Sequence, residues 1–148
     1  MSLDNLVGIS LEQIEPDSQS IKRLLQAAER NIADAHVEAV SHENRFDAAY
    51  KTIMQLANLS LQASGYRTLT SKPGHHQTML QALVKTIGLD RETMVMLDAL
   101  RKQRNVADYS GDIVTEATMN ECIAQAENLL TAVTAWLHNY HAELFVDD

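Results

Sequence analysis

The chain has 148 residues, a net charge of −8, an apolar share of 45% and a charged share of 22%. That length suits one ordinary domain able to bury a core without staples. The acidity excludes a protein that coats nucleic acid by general charge neutralisation, so any contact with RNA is expected to be local.

Residues 1–16 mix polar and apolar side chains without a sustained period, and they read as an arm with a short turn around Leu11 and Ile14. Residues 17–148 read as a single helical domain. The cluster Asp17-Ser18-Gln19-Ser20 offers N-cap oxygens, after which Ile21, Leu24, Leu25, Ala28, Ile32, Ala35 and Ala39 recur at helical spacing. That predicts a first helix to about Val40. Asn44 is the expected cap of a second helix, with Asp47 in its favourable first turn. Its stripe is Phe46, Ala49, Tyr50, Ile53, Ala57, Ser60 and Leu61, and Gly65 stops it. A loop over residues 66–74 carries Arg67, Lys72 and the breaker pair Pro73-Gly74.

The third helix is expected from His75, with Met79, Leu80, Leu83, Val84 and Ile87 on its apolar side and Gly88 at its end. Asp90 caps the fourth, whose buried side is Met94, Leu97 and Leu100. A basic cluster of Arg101, Lys102 and Arg104 is expected at its C-terminal end, where cations complement the helix dipole. Thr115 caps a last helix marked by Met119, Cys122, Ile123, Ala126, Leu130, Val133, Leu137 and Tyr140. No period-2 strand is visible, and the sequence predicts an all-α, up-and-down bundle of about five helices.

The single cysteine, Cys122, excludes an internal disulfide and reads as a small buried hydrophobe. Residues 1–20 have neither a basic start nor an apolar core for export, and no apolar run reaches membrane-span length, which points to the cytoplasm and to no membrane partner. Met79, Met94, Met96 and Met119 read as core fillers, and Trp136 as a packing residue. Tyr50 and Tyr66 divide between core packing and covering the basic segment.

The basic segment, from Leu100 to Tyr109 with Ser110-Gly111 behind it, concentrates three cations within four positions of an acidic chain. It can hold a phosphate, or it can be a solvated face laced by the four-residue pairs Asp98/Lys102 and Arg104/Asp108. His138 and His141 are three apart and could share a metal, but a third ligand is lacking because Glu143 is not at matching helical spacing. No metal and no cofactor are expected.

Four features occur in order: Arg45-Phe46-xx-Ala49-Tyr50, Gly65-Tyr66-Arg67, Gly74-His75-His76, and Leu100-xxx-Arg104-Asn105-xxx-Tyr109. Together they resemble the HEPN family (higher eukaryotes and prokaryotes nucleotide-binding domain), particularly its small bacterial stand-alone members, over about residues 20–140. The resemblance implies a helical bundle that commonly dimerises, with functional residues near the dimer interface. Many members are metal-independent ribonucleases of toxin, defence or RNA-processing systems, and their motif is an arginine, a polar residue and then a histidine. Arg104 and Asn105 match the first two, and Tyr109 stands where the histidine would be.

That departure has chemical content. The arginine would fork onto the scissile phosphate and the histidine would take the proton of the attacking 2′-hydroxyl, a task suited to a group that titrates near neutrality. A tyrosine titrates near pH 10, yet it can donate to a phosphate oxygen or stack on a base. His75 or His76 could supply the missing imidazole from another helix, although neighbours on a helix point about 100° apart and only one would face a shared pocket.

Three readings follow. The first is a module that binds RNA or nucleotide phosphate through Arg101, Arg104, Asn105 and Tyr109, acting beside a partner such as a nucleotidyltransferase or antitoxin, and catalytically weak or inactive. The second is an active metal-independent endoribonuclease. The third is a helical interaction protein without a nucleic-acid site.

Overall fold

In the computed structural model, which describes residues 2–71, 73–111 and 114–145, most of the helices start where side-chain oxygens can take up free backbone amides. Asp17 opens α1 (Ser18–Ala35) by accepting from the Gln19 amide at 3.1 Å and the Ser20 hydroxyl at 2.9 Å. Ser41, three residues before the expected Asn44, caps α2 (His42–Ala63) through the Asn44 amide at 3.3 Å. Gly65, at φ 95°, turns the chain out of α2 as expected. Gly74 leads into α3 (His75–Thr86), Asp90 caps α4 (Arg91–Ser110) and Thr115 caps α5 (Glu116–Tyr140).

The architecture is all-α, with α2 at its centre and α1, α3 and α5 packed against it. Phe46, Ala49, Ile53, Leu56, Ala57 and Leu59 of α2 are almost fully buried. Each large apolar side chain among them is worth about 1.5–3 kcal/mol on burial. They meet Ile21 and Ala28 of α1, Leu80 and Leu83 of α3, and Cys122, Ala126 and Val133 of α5. Cys122 donates weakly to the Phe46 carbonyl at 3.8 Å, and burial pushes its thiol up to about 12. Among the described residues no helix is long and apolar enough to cross a membrane.

The structure departs from the sequence reading at several points. The first helix stops at Ala35 rather than Val40, because Arg45 Nε donates to the Ala35 carbonyl at 2.7 Å and closes the helix end. Val37 and Val40 beyond it are exposed. Two short strands are present where the sequence shows no period-2 pattern: β1 (Leu11–Gln13) pairs antiparallel with β2 (Tyr66–Thr68), Leu11 against Thr68 and Gln13 against Tyr66. Three residues are too few to display an alternating pattern. Leu11 is fully buried against Leu61 and Ala82, with Leu3, Leu6 and Tyr66 around them. The Tyr66 hydroxyl donates to Asp4, so this ring packs the N-terminal segment instead of covering the basic segment.

The basic cluster does not end α4. The helix continues to Ser110, Gly111 at φ 72° terminates it, and its last turn holds no cation, so the dipole argument for Arg101, Lys102 and Arg104 falls. Met96 is 42% exposed and is not a core filler, while Met79 and Met119 are buried. Tyr140 is 73% exposed, because the short turn Ala142–Phe145 folds Leu144 back into the core beside Leu137. Lys72 lies outside the described residues.

Candidate functional site

The C-terminal half of α4 and the first turn of α3 lie beside α2 around Tyr50. That placement brings Arg104 over the ring of Tyr50, with 5.0 Å between the guanidinium carbon and the ring centroid. Attraction between a guanidinium and an aromatic face at this distance fixes the planar fork over the ring. The Tyr50 hydroxyl in turn lies 3.2 Å from Nδ1 of His76. Three helices therefore contribute one residue each to a chain of contacts, Arg104 to Tyr50 to His76. A cavity of about 300 Å³ opens beside it, lined also by Lys51, Gln55, Asn58 and Met79.

Electrostatics set the protonation of this group. Burial of Tyr50 pushes its phenol up to about 12, against the opposing pull of Arg104 and Arg101, so the hydroxyl stays protonated and acts as a hydrogen-bonding group rather than a base. His76 is held below the usual imidazole range, first by burial and then by the charges of His75, Arg104 and Arg101. Its ring is thus neutral at pH 7, with one nitrogen able to donate and the other to accept.

Arg104 is not firmly neutralised. Its Nε is 3.5 Å from Asp47 and its Nη2 is 3.8 Å from Asp108. Tight charge-assisted bonds are about 2.7–2.9 Å long, so these are loose pairs that a doubly bonded phosphate can displace. Arg101 differs: its Nε donates to Asp98 at 2.8 Å, and Lys102 approaches the same carboxylate at 3.6 Å. Arg101 therefore adds field to the site while its Nε is held by Asp98. The expected pairs Asp98/Lys102 and Arg104/Asp108 are both present.

Asn105 is exposed on α4, and the side chain of Tyr109 lies outside the described residues. Of the two neighbouring histidines, His76 lines the cavity, and the His75 ring stands edge-on to it at 4.7 Å. His138 and His141 do not converge: His138 stacks on Phe145 and His141 packs against Trp136, each at 4.6 Å. Lys51 also lines the cavity, and nothing in its local sequence distinguishes it from a solvated lysine except its position one turn after Asp47.

The model of the HEPN domain family matches residues 21–136. No curated protein matches the chain.

Proposed function

Since the chain belongs to the HEPN domain family, we propose that it binds the phosphate of RNA or of a nucleotide in the cavity around Arg104. The observation that carries this is the guanidinium held over the Tyr50 ring with only loose carboxylate partners, beside the ammonium of Lys51 and the neutral ring of His76. An arginine fixed by an aromatic face loses little freedom on gripping a phosphate, and its fork matches two phosphate oxygens. Asn105, exposed on α4, and Tyr109 belong to the same proposal as further phosphate contacts, and Arg101 contributes positive field.

A homodimer with the site near its interface belongs to the same proposal. It is supported by Val95, Met96 and Val106, which leave apolar area exposed on the helix that carries Arg104. A partner such as a nucleotidyltransferase or antitoxin would act beside this dimer.

The test is fluorescence anisotropy of a labelled single-stranded RNA with the protein and with Arg104→Ala. Loss of a charge-assisted bond of about 1.5–3 kcal/mol weakens binding by roughly 10- to 100-fold. Unchanged affinity in a folded variant overturns the proposal.

One observation favours a second reading, metal-independent cleavage. His76 lies in the cavity with Arg104 and is neutral at pH 7, the state needed to take the proton of a 2′-hydroxyl. The oxygen would then attack phosphorus, the bond to the 5′-oxygen would break with that oxygen taking the proton held by His76, and a cyclic phosphate would remain. Cleavage in excess chelator that is lost in both Arg104→Ala and His76→Asn supports this. No cleavage by the unaltered protein leaves a binding module.

A further inference from the structure

We propose that the Arg104 cavity is one end of a longer groove along α2 that holds a single strand of RNA, with Arg23, Arg30 and Arg67 gripping its phosphates at the far end. The inference rests on the reading of Arg104 as a phosphate site and extends it.

The floor comes from α2. This helix is buried on almost every side, but Asp47, Lys51, Gln55, Asn58 and Gln62 keep some exposure and recur at spacings of three and four. They form one stripe along the helix. From Asp47 to Gln62 the stripe spans about 22 Å at 1.5 Å per residue. Its middle is made of amides, with Gln62 donating to Asn58 at 3.2 Å. The first wall is α1, joined to the floor where Asn31 donates to Gln55 at 2.8 Å.

Beyond Asn58 the groove widens into a cavity of about 650 Å³ lined by Arg23, Arg30, Gln62 and Arg67. Asn58 also lines the Arg104 cavity, so the two spaces abut. Five cations, Arg23, Arg30, Lys51, Arg67 and Arg104, thus line one track, out of 12 lysines and arginines in a chain of net charge −8. This is a local concentration of positive charge that the overall composition hides.

Of the acids along the track, Asp17 is bound to the Gln19 amide and the Ser20 hydroxyl, while Glu12 pairs with Arg67 and Asp47 lies 3.5 Å from Arg104, pairs that an incoming phosphate has to displace. Glu15 lines the far cavity, and Arg23 donates to the Ser20 hydroxyl at 3.1 Å. Among the described residues Arg30 makes no ion pair. Cations at both ends and amides between them suit a flexible polyanion whose base edges can exchange hydrogen bonds with Gln55, Asn58 and Gln62.

The experiment compares an RNA of about ten nucleotides with a dinucleotide, on the full chain, on Arg23→Gln/Arg30→Gln and on Arg104→Ala. Anisotropy follows the long RNA at several salt concentrations, and NMR shifts follow the dinucleotide. Losing two phosphate contacts lowers the slope of log K against log salt by about 1.4 for a single strand. The double variant is expected to show that loss with the long RNA and to bind the dinucleotide as the unaltered chain does. Both arginines are exposed on α1, and an unchanged melting curve verifies the fold. An unchanged slope and affinity for the long RNA in the double variant overturns the groove. Unchanged binding of both RNAs by Arg104→Ala instead overturns the phosphate site itself.

Discussion

Tyr50 is 2% exposed and carries Arg104 on its ring at 5.0 Å, so the two should be coupled in stability. The perturbation is a double-mutant cycle of Tyr50→Leu and Arg104→Met, which removes the aromatic face and the charge separately and together. Such pairs are worth about 0.5–1 kcal/mol when exposed and about 2 when desolvated. The Arg104 side chain is 29% exposed, which places the coupling near 1 kcal/mol. The loose pairs with Asp47 and Asp108 are lost equally in both arms and cancel. Urea denaturation of the four proteins measures the coupling, and melting reports it as about 2–4 °C per kcal/mol for a chain of this size. Tyr50→Phe keeps the ring and should keep the coupling, losing only the hydroxyl contact with His76, about 1 kcal/mol. Additive effects, within about 0.4 kcal/mol, would show that Tyr50 does not position the guanidinium.

Three further outcomes are expected. Arg45→Ala removes the donor that closes α1 at Ala35 and should cost about 2 kcal/mol, near 6 °C in a melting curve; no change would mean that α1 ends for another reason. His76, depressed in the folded chain, binds its proton less readily there than when unfolded. Its contribution to stability is therefore full above pH 6.5 and declines as pH falls below that value. NMR titration should find its midpoint below the ordinary one and find it raised by Arg104→Ala, and a midpoint at or above the ordinary value would refute the assignment. Cys122, buried and pushed up to about 12, should resist maleimide in the folded protein and react only on unfolding, so rapid labelling of the native chain would contradict its burial.

Local chemistry made much of the fold legible. Asp90 and Thr115 announce helix starts by themselves, the cluster at residues 17–20 announces one without fixing which oxygen caps it, and Gly65 announces a stop, because capping acts within three or four residues. The stripe of α2, and that of α5 up to Leu137, read correctly because they follow from helical periodicity alone, whereas Tyr140 at the end of α5 is exposed. What escaped depends on distant partners: Arg45 closes α1 from the next helix, and β1 finds β2 across more than fifty residues of chain. The continuation of α4 past its cations was hidden because residues 101–105 carry no apolar stripe. In the site, Arg104 could be singled out by its cluster, but its seat on Tyr50 could not. The choice of His76 over His75 for the cavity depends on how α3 is rotated, which sequence leaves open.

The most direct measurement is a ¹H–¹⁵N spectrum, including arginine side-chain signals, titrated with single-stranded RNA. The account predicts that the Arg104 Nε signal and the amides of residues 47–51 and 75–79 move first, while those around His138 and His141 stay. Shifts confined to other surfaces, with the Arg104 signal unmoved at saturation, would contradict it.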